Sequence, residues 1–213
     1  VSVRAEARKI PPTTLSVQYG RVLKEGVHKV TLPAVYENKG LYATQIALSV
    51  EDAKTGNPLL RFSPEQDSGY SPAITLADFT GDGILEIFFG ADSGGSGGFG
   101  FYYVFSVMSG SAQALFDFRS YPENFSAAYA DGYKVQVSGR NPERQYLIDI
   151  SGRDADYLSA LYDENGILRK PVAADVSAVN TVLPFFANYG NRYNLLVMRR
   201  ITGLYNADSL GYT

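Results

Sequence analysis

The chain has no cysteine and no tryptophan, and its 213 residues include one histidine. Without cysteine there is no thiolate nucleophile, no iron–sulfur ligation and no zinc site built on sulfur. A Ser-His-Asp triad or a His-ligated transition metal would have to use His28. That residue stands in "KEGVHKVTLP", just inside a predicted strand, where an exposed strand-edge imidazole is the expectation. No run of eighteen apolar residues occurs, so no segment reads as a membrane-spanning helix. The net charge of −3 gives no basic face for nucleic acid. Long helical periodicity is scarce as well.

What remains reads as a globular β protein. Apolar residues make up 45% and charged residues 19%, which is enough to build a core and too little charge for a disordered chain. "HKVTLPAV", "LYATQIALSV", "AITLADF", "ILEIFFG", "FYYVFSV", "YKVQVSG", "QYLIDIS", "YLSALYD" and "YNLLVMRR" are short, rich in β-branched or aromatic residues, and mostly bounded by Gly, Asn, Asp or Pro. "TTLSVQYGRVL" adds an N-terminal strand. "KPVAADVSAVNTVLPFF" has room for a helical turn between Pro171 and Pro184. The predicted class is all-β.

Three strands run into similar turns, through Gly56, Gly110 and Gly166, at nearly equal intervals. Spacing of about 50 residues with short strands is the sequence pattern of propeller blades. The expectation is one all-β domain over 1–213, a propeller-like array of about four antiparallel units near 15–62, 70–118, 125–170 and 178–213. A β-sandwich of hairpins is the alternative. "RSYPENFSAAYADG" reads as a loop insertion that makes the repeat uneven.

The densest polar signal is "LADFTGDGILEIFFG". Counting Asp78 as position one, oxygen-bearing side chains fall at one (Asp78), three (Thr80), five (Asp82) and nine (Glu86), with Gly83 at six and the Ile84 carbonyl at seven. Calcium takes about six to eight oxygens from carboxylates, carbonyls and water, and a tight loop can aim alternate residues at one centre. The other reading is an acidic β-turn, for which Asp-Gly is an ordinary signal.

"ADFTGDGILEIFFGA", with "GGFGFYYVFSVMSG" after it, resembles the calcium-loop repeat of the FG-GAP or VCBS family, the integrin-α type of β-propeller. Thr80 and Glu86 depart from that pattern, where Asn or Asp and then Asp are usual. The resemblance implies a structural Ca2+ held by Asp78, Thr80, Asp82, the Ile84 carbonyl and Glu86. It further implies a non-enzymatic binding or scaffold module, exported or surface-attached, serving adhesion or recognition of a protein or glycan. Opening on Val1 rather than methionine fits either a processed protein or a trimmed one, and the resemblance makes an extracellular or cell-envelope location the expectation. An echo of the loop lies at Asp149, where Ser151 keeps an oxygen but Arg153 occupies position five; its guanidinium can substitute for the cation, and no metal is expected. A further unit, with Asn188, Asn191 and Asn194, lacks carboxylates.

Other candidates are weaker. "DSGGSGGFG" lacks the Lys and the helix of a phosphate cradle and reads as a hairpin loop. Tyr129, Tyr133, Tyr189, Tyr193 and Tyr205 lie near turns, where the expectation is packing rather than ligand stacking. A carbohydrate-active enzyme is the alternative function, pairing Asp154 or Asp156 with Asp163 or Glu164.

Overall fold

The computed structural model describes residues 10–36, 40–95, 97–122, 124–140, 143–187 and 190–213. Asn188 and Tyr189 lie outside the described residues. The all-β expectation holds: the strands form two curled antiparallel sheets. By its contacts the chain divides into two compact units.

The first unit comprises the described residues within Val1–Gly94, Gly100–Phe118 and Leu183–Leu195. It contains β1 (Thr13–Gly20), β2 (His28–Tyr36), β3 (Tyr42–Thr44), β4 (Leu48–Asp52), β5 (Pro58–Phe62), β6 (Gly69–Ala77), β7 (Glu86–Asp92), β8 (Gly100–Ser106) and β9 (Gln113–Asp117). Their order is β5-β4-β2-β3-β6-β7-β8-β9, with β1 on the open part of β2. The β-branched and aromatic runs of these strands put Val30, Leu32, Leu48, Val50, Ile87, Phe89, Tyr103 and Phe105 into one core. Consecutive strands β6 to β9 are neighbours, a simple meander. Gly56 and Gly110 close the β4–β5 and β8–β9 hairpins with φ of 74° and 81°, a left-handed backbone that glycine adopts without a Cβ penalty.

The second unit comprises the described residues within Gly95–Phe99, Arg119–Val182 and Leu196–Thr213. Its strands are β10 (Phe125–Ala130), β11 (Lys134–Arg140), β12 (Glu143–Asp149), β13 (Ala173–Ala187), β14 (Arg192–Thr202) and β15 (Ser209–Tyr212), with a helix α1 (Ala155–Leu161) between β12 and β13, while residues 183–187 of β13 and 192–195 of β14 belong to the first unit. The order is β12-β11-β10-β13-β14-β15. The curl of this sheet brings its two end strands together through side chains: Tyr146 Oη on β12 donates to the Tyr212 carbonyl on β15 at 3.4 Å. A Cβ on Gly211 of β15 would sit 3.3 Å from Ile148 Cδ1.

Three local expectations are corrected. "YLSALYD" is helix, not strand, because Asp154 caps it by accepting the Tyr157 N–H at 2.8 Å. The spacing of Tyr157, Leu158, Leu161 and Tyr162 then turns one helical face to the core. "KPVAADVSAVNTVLPFF" forms β13 rather than a helical turn, and its valines favour extended backbone. "FSAAYA", inside the expected loop insertion, is β10, paired along its whole length with β11.

Candidate functional site

The Asp78 loop joins β6 to β7 in the first unit. Gly81 and Gly83 take left-handed φ of 82° and 80°, which turns the chain tightly enough for backbone amides to face inward. Asp78 accepts from Gly81 N through Oδ1 at 2.6 Å and from Gly83 N through Oδ2 at 2.8 Å. Asp82 Oδ1 accepts from Ile84 N at 2.8 Å. Glu86, 2% exposed, accepts from Phe79 N at 2.8 Å and Thr80 N at 3.3 Å through Oε2, and from Thr80 Oγ1 at 3.3 Å through Oε1. Burial pushes the Glu86 carboxyl up, against the pull of those two amides, and the charges of Asp82 and Asp78 push it the same way.

The loop therefore gathers the sequence's acidic residues, but each carboxylate is turned toward a backbone donor. Among the described residues no group of three acidic or imidazole side chains is arranged to hold a metal ion. Ile84 is 7% exposed. The loop is also covered from the β13–β14 side. Tyr193 N donates to the Asp78 carbonyl at 2.7 Å, and a Cβ on Gly81 would meet the Arg192 side chain at 3.7 Å. Phe79 packs edge-on to Tyr193, which in turn meets Phe186.

The echo at Asp149 is held differently. Lys134 Nζ lies against its Oδ2, and this contact, with the Ser151 amide and hydroxyl, holds the carboxyl well below the usual carboxylate range. Arg153, expected to replace a cation at that turn, instead pairs with Asp208, 3.1 Å from Nη2 to Oδ1. That ion pair lacks hydrogen-bond alignment, since Oδ1 accepts no hydrogen bond. Oδ2 accepts from Tyr157 Oη at 2.7 Å and Leu204 N at 2.9 Å. Tyr129 Oη bonds to Tyr157 Oη, completing a buried Tyr–Tyr–Asp–Arg cluster. Burial is the first cause that raises both phenols above their ordinary value. Sequence reading missed this cluster because its members are far apart in the chain.

The carboxylates proposed for catalysis serve local structure. Asp154 caps α1, and Asp163 Oδ1 accepts from Asn165 N and Ile167 N, both at 2.9 Å. Asp156 lies in the exposed first turn of α1. Asp163 and Glu164 do border a hollow of about 380 Å³ with Tyr162 and Arg169. The glycine-rich segment is the β7–β8 connection, and Asn180 Nδ2 donates to the Gly97 and Gly98 carbonyls at 2.9 and 3.2 Å. His28 is not exposed as expected. It is 3% exposed because β2 is paired on both flanks, by β1 and β4, and its Nδ1 has no partner. Of the tyrosines, Tyr129 is buried, Tyr133 packs on the second core, and Tyr205 is 62% exposed.

These contacts define an antiparallel all-β chain whose acidic turns are fastened by their own amides. The profile of the YybI C-terminal domain family matches residues 123–213, the main run of the second unit. The uncharacterized protein YybI of Bacillus subtilis (strain 168) is similar, 32% identical over 169 residues that cover 78% of this chain and 64% of that relative. The chain thus spans less than two thirds of that relative's length. No solved structure matches the chain significantly.

Proposed function

We propose that the chain is a non-enzymatic binding or scaffold module, exported or held at the cell surface, that serves adhesion or recognition of a protein or glycan. The observation that supports it is how the acidic side chains are spent. Asp78, Asp82, Asp149, Asp154 and Asp163 each accept from a backbone amide two to five residues on, so each stabilises a turn or cap instead of facing a reacting group. Export and adhesion rest on the FG-GAP resemblance. In this reading the resemblance covers the β6–β9 meander alone, since β6 continues through β3 into a larger sheet rather than closing a separate blade.

The test is hydrolysis of a panel of chromogenic glycosides by the wild type, Asp154→Asn and Asp163→Asn. No turnover above the buffer rate is expected. Turnover by the wild type that either variant loses would establish the carbohydrate-active alternative.

A second reading keeps the calcium site, and one observation favours it. Glu86 sits in negative potential from Asp82 and Asp78, which a cation would relieve. In this reading Asp78, Thr80, Asp82, the Ile84 carbonyl and Glu86 exchange some of their amide bonds for Ca2+. Thermal unfolding with calcium and with chelator decides it: a ligand at 100 times its dissociation constant adds about 2.7 kcal/mol, so a rise seen in wild type and absent in Asp82→Ala establishes the metal loop. Coincident curves remove it.

A further inference from the structure

We propose that a cavity in the second unit, walled by Arg199 and Arg144, binds a small oxyanion carried on an aromatic or apolar body. The cavity measures about 460 Å³, within the range of roughly 300–1,000 Å³ found for small-molecule sites. β12 supplies Arg144 and Tyr146, and β14 supplies Leu196 and Arg199. It lies where the end strand β12 faces the far side of its own curled sheet, a place where side chains rather than a backbone ladder fill the gap.

Charge is what distinguishes this cavity. Arg199 is 4% exposed. Its Nη2 donates to the Tyr121 and Pro122 carbonyls at 3.0 and 3.1 Å, and its Nη1 to the Ser177 carbonyl at 3.4 Å. Its Nε is buried with no acceptor. All three acceptors are neutral, and the guanidinium also lies 5.7 Å from the Tyr121 ring centroid, so the donors are partly satisfied while no carboxylate pairs with the charge among the described residues. Taking a cation out of water without a counter-charge is costly, and an anion beside it offsets that cost. Arg144 brings a second guanidinium to the same cavity, and no Asp or Glu lines it among the described residues. Two guanidiniums, Arg199 buried and Arg144 exposed, share one cavity with Thr213 in its wall, in a chain whose net charge is −3. A purely structural role, clipping residues 121–122 to β13, accounts for the Nη bonds of Arg199. It does not account for the bare Nε.

The planar guanidinium fork matches the paired oxygens of carboxylate and phosphate. Tyr121, Phe125, Tyr146 and Leu196 give the rest of the wall an aromatic and aliphatic face. The fitting ligand is therefore a phosphate or carboxylate attached to a short apolar or aromatic group. This inference rests on the reading of the chain as a binding module, but the two fail separately. Loss of anion binding removes this ligand and leaves the module, whereas glycoside hydrolysis removes the module.

Isothermal titration of the full chain with phenyl phosphate, benzoate, inorganic phosphate and benzyl alcohol tests it. Phenyl phosphate is expected to bind one to one, inorganic phosphate more weakly, and benzyl alcohol not at all. Benzoate binding tighter than phenyl phosphate would assign a carboxylate head group to the site, and the reverse order a phosphate. Arg144→Gln, at an exposed strand position, is expected to weaken binding about tenfold without changing the fold. Arg199→Lys keeps the charge but not the fork and should weaken it too, while Lys54→Gln in a distant turn leaves it unchanged. No heat from either aromatic anion at millimolar concentration, or full affinity in Arg144→Gln, overturns the proposal.

Discussion

Tyr157 Oη donates to Asp208 Oδ2 at 2.7 Å, joining α1 to the turn before β15 across 51 residues of chain. Asp208 has no exposed side-chain surface, so its charge depends on this hydroxyl, the Leu204 amide and Arg153. Tyr157→Phe removes one donor to a buried carboxylate and leaves the oxygen dry, a loss of about 1–3 kcal/mol. Asp208→Ala should cost more, because it strips Arg153 and both donors of their common acceptor. Denaturant unfolding followed by circular dichroism gives both values. Equal stability of Tyr157→Phe and wild type would show that the hydroxyl pair contributes nothing.

Gly203 is the residue this cluster cannot do without. A Cβ there would overlap Asp208 Oδ2 and Tyr129 Oη, both closer than real contacts allow, with Tyr157 Oη 2.8 Å away. The constraint is space, and none of the three oxygens can withdraw without breaking a buried bond. Gly203→Ala is expected to cost about 3 kcal/mol, at the upper end of overpacking penalties. Gly152, with nothing within 4 Å of its Cβ position, is the control: Gly152→Ala should fall within about 0.5 kcal/mol of wild type.

The contrast between Gly203 and the Asp78 loop shows what sequence could tell. Short runs rich in β-branched and aromatic residues marked β2, β4, β7, β8, β11 and β14, because such side chains pack well on a buried sheet face. That signal failed at α1, where seven helical residues are too few for a 3.6-residue period to stand out and the Asp154 cap was the usable sign. The acidic loop was legible as a turn because its hydrogen bonds are local, spanning two to seven residues. Whether its carboxylates face amides or a common centre depends on side-chain direction, which spacing does not encode. The Tyr129–Tyr157–Asp208 cluster and the Arg144–Arg199 cavity were invisible, since sheet curl, not sequence distance, brings their members together. Within "RRITGLYNADSLGYT", Gly203 and Asp208 both belong to that cluster.

If the Asp78 loop is held by its own amides, it should matter in the absence of calcium. Asp78→Ala frees Gly81 N and Gly83 N, both at exposed positions where water can replace the lost acceptor in part. A loss of about 1 kcal/mol is expected with chelator present. Asp78→Asn, which keeps one acceptor oxygen, should lose less. A chelated wild type no more stable than chelated Asp78→Ala would mean that the amide bonds add nothing by themselves.

Glu86 gives a prediction whose sign is opposite to that of most carboxylates. Its folded carboxyl takes up a proton at higher pH than the ordinary value of 4.5, chiefly because it is buried. Between the two values the folded chain binds the extra proton, so this group's contribution to stability falls as pH rises through that window. Asp149 has the reverse dependence: its carboxyl is held low by Lys134, and its contribution is present at neutral pH and lost on acidification. Comparing Glu86→Gln with wild type at each pH cancels Asp149 and the other groups that do not interact with Glu86. The Gln variant keeps an acceptor for Phe79 and Thr80 without the buried charge. It is expected to be the more stable protein near neutrality, with the advantage shrinking as pH falls toward the ordinary glutamate value. Denaturant midpoints from roughly pH 4 to pH 8 measure that difference. An advantage that stays constant would show that the Glu86 carboxyl titrates normally, and one that grows on acidification would show that the amides of Phe79 and Thr80 more than offset the cost of burying it.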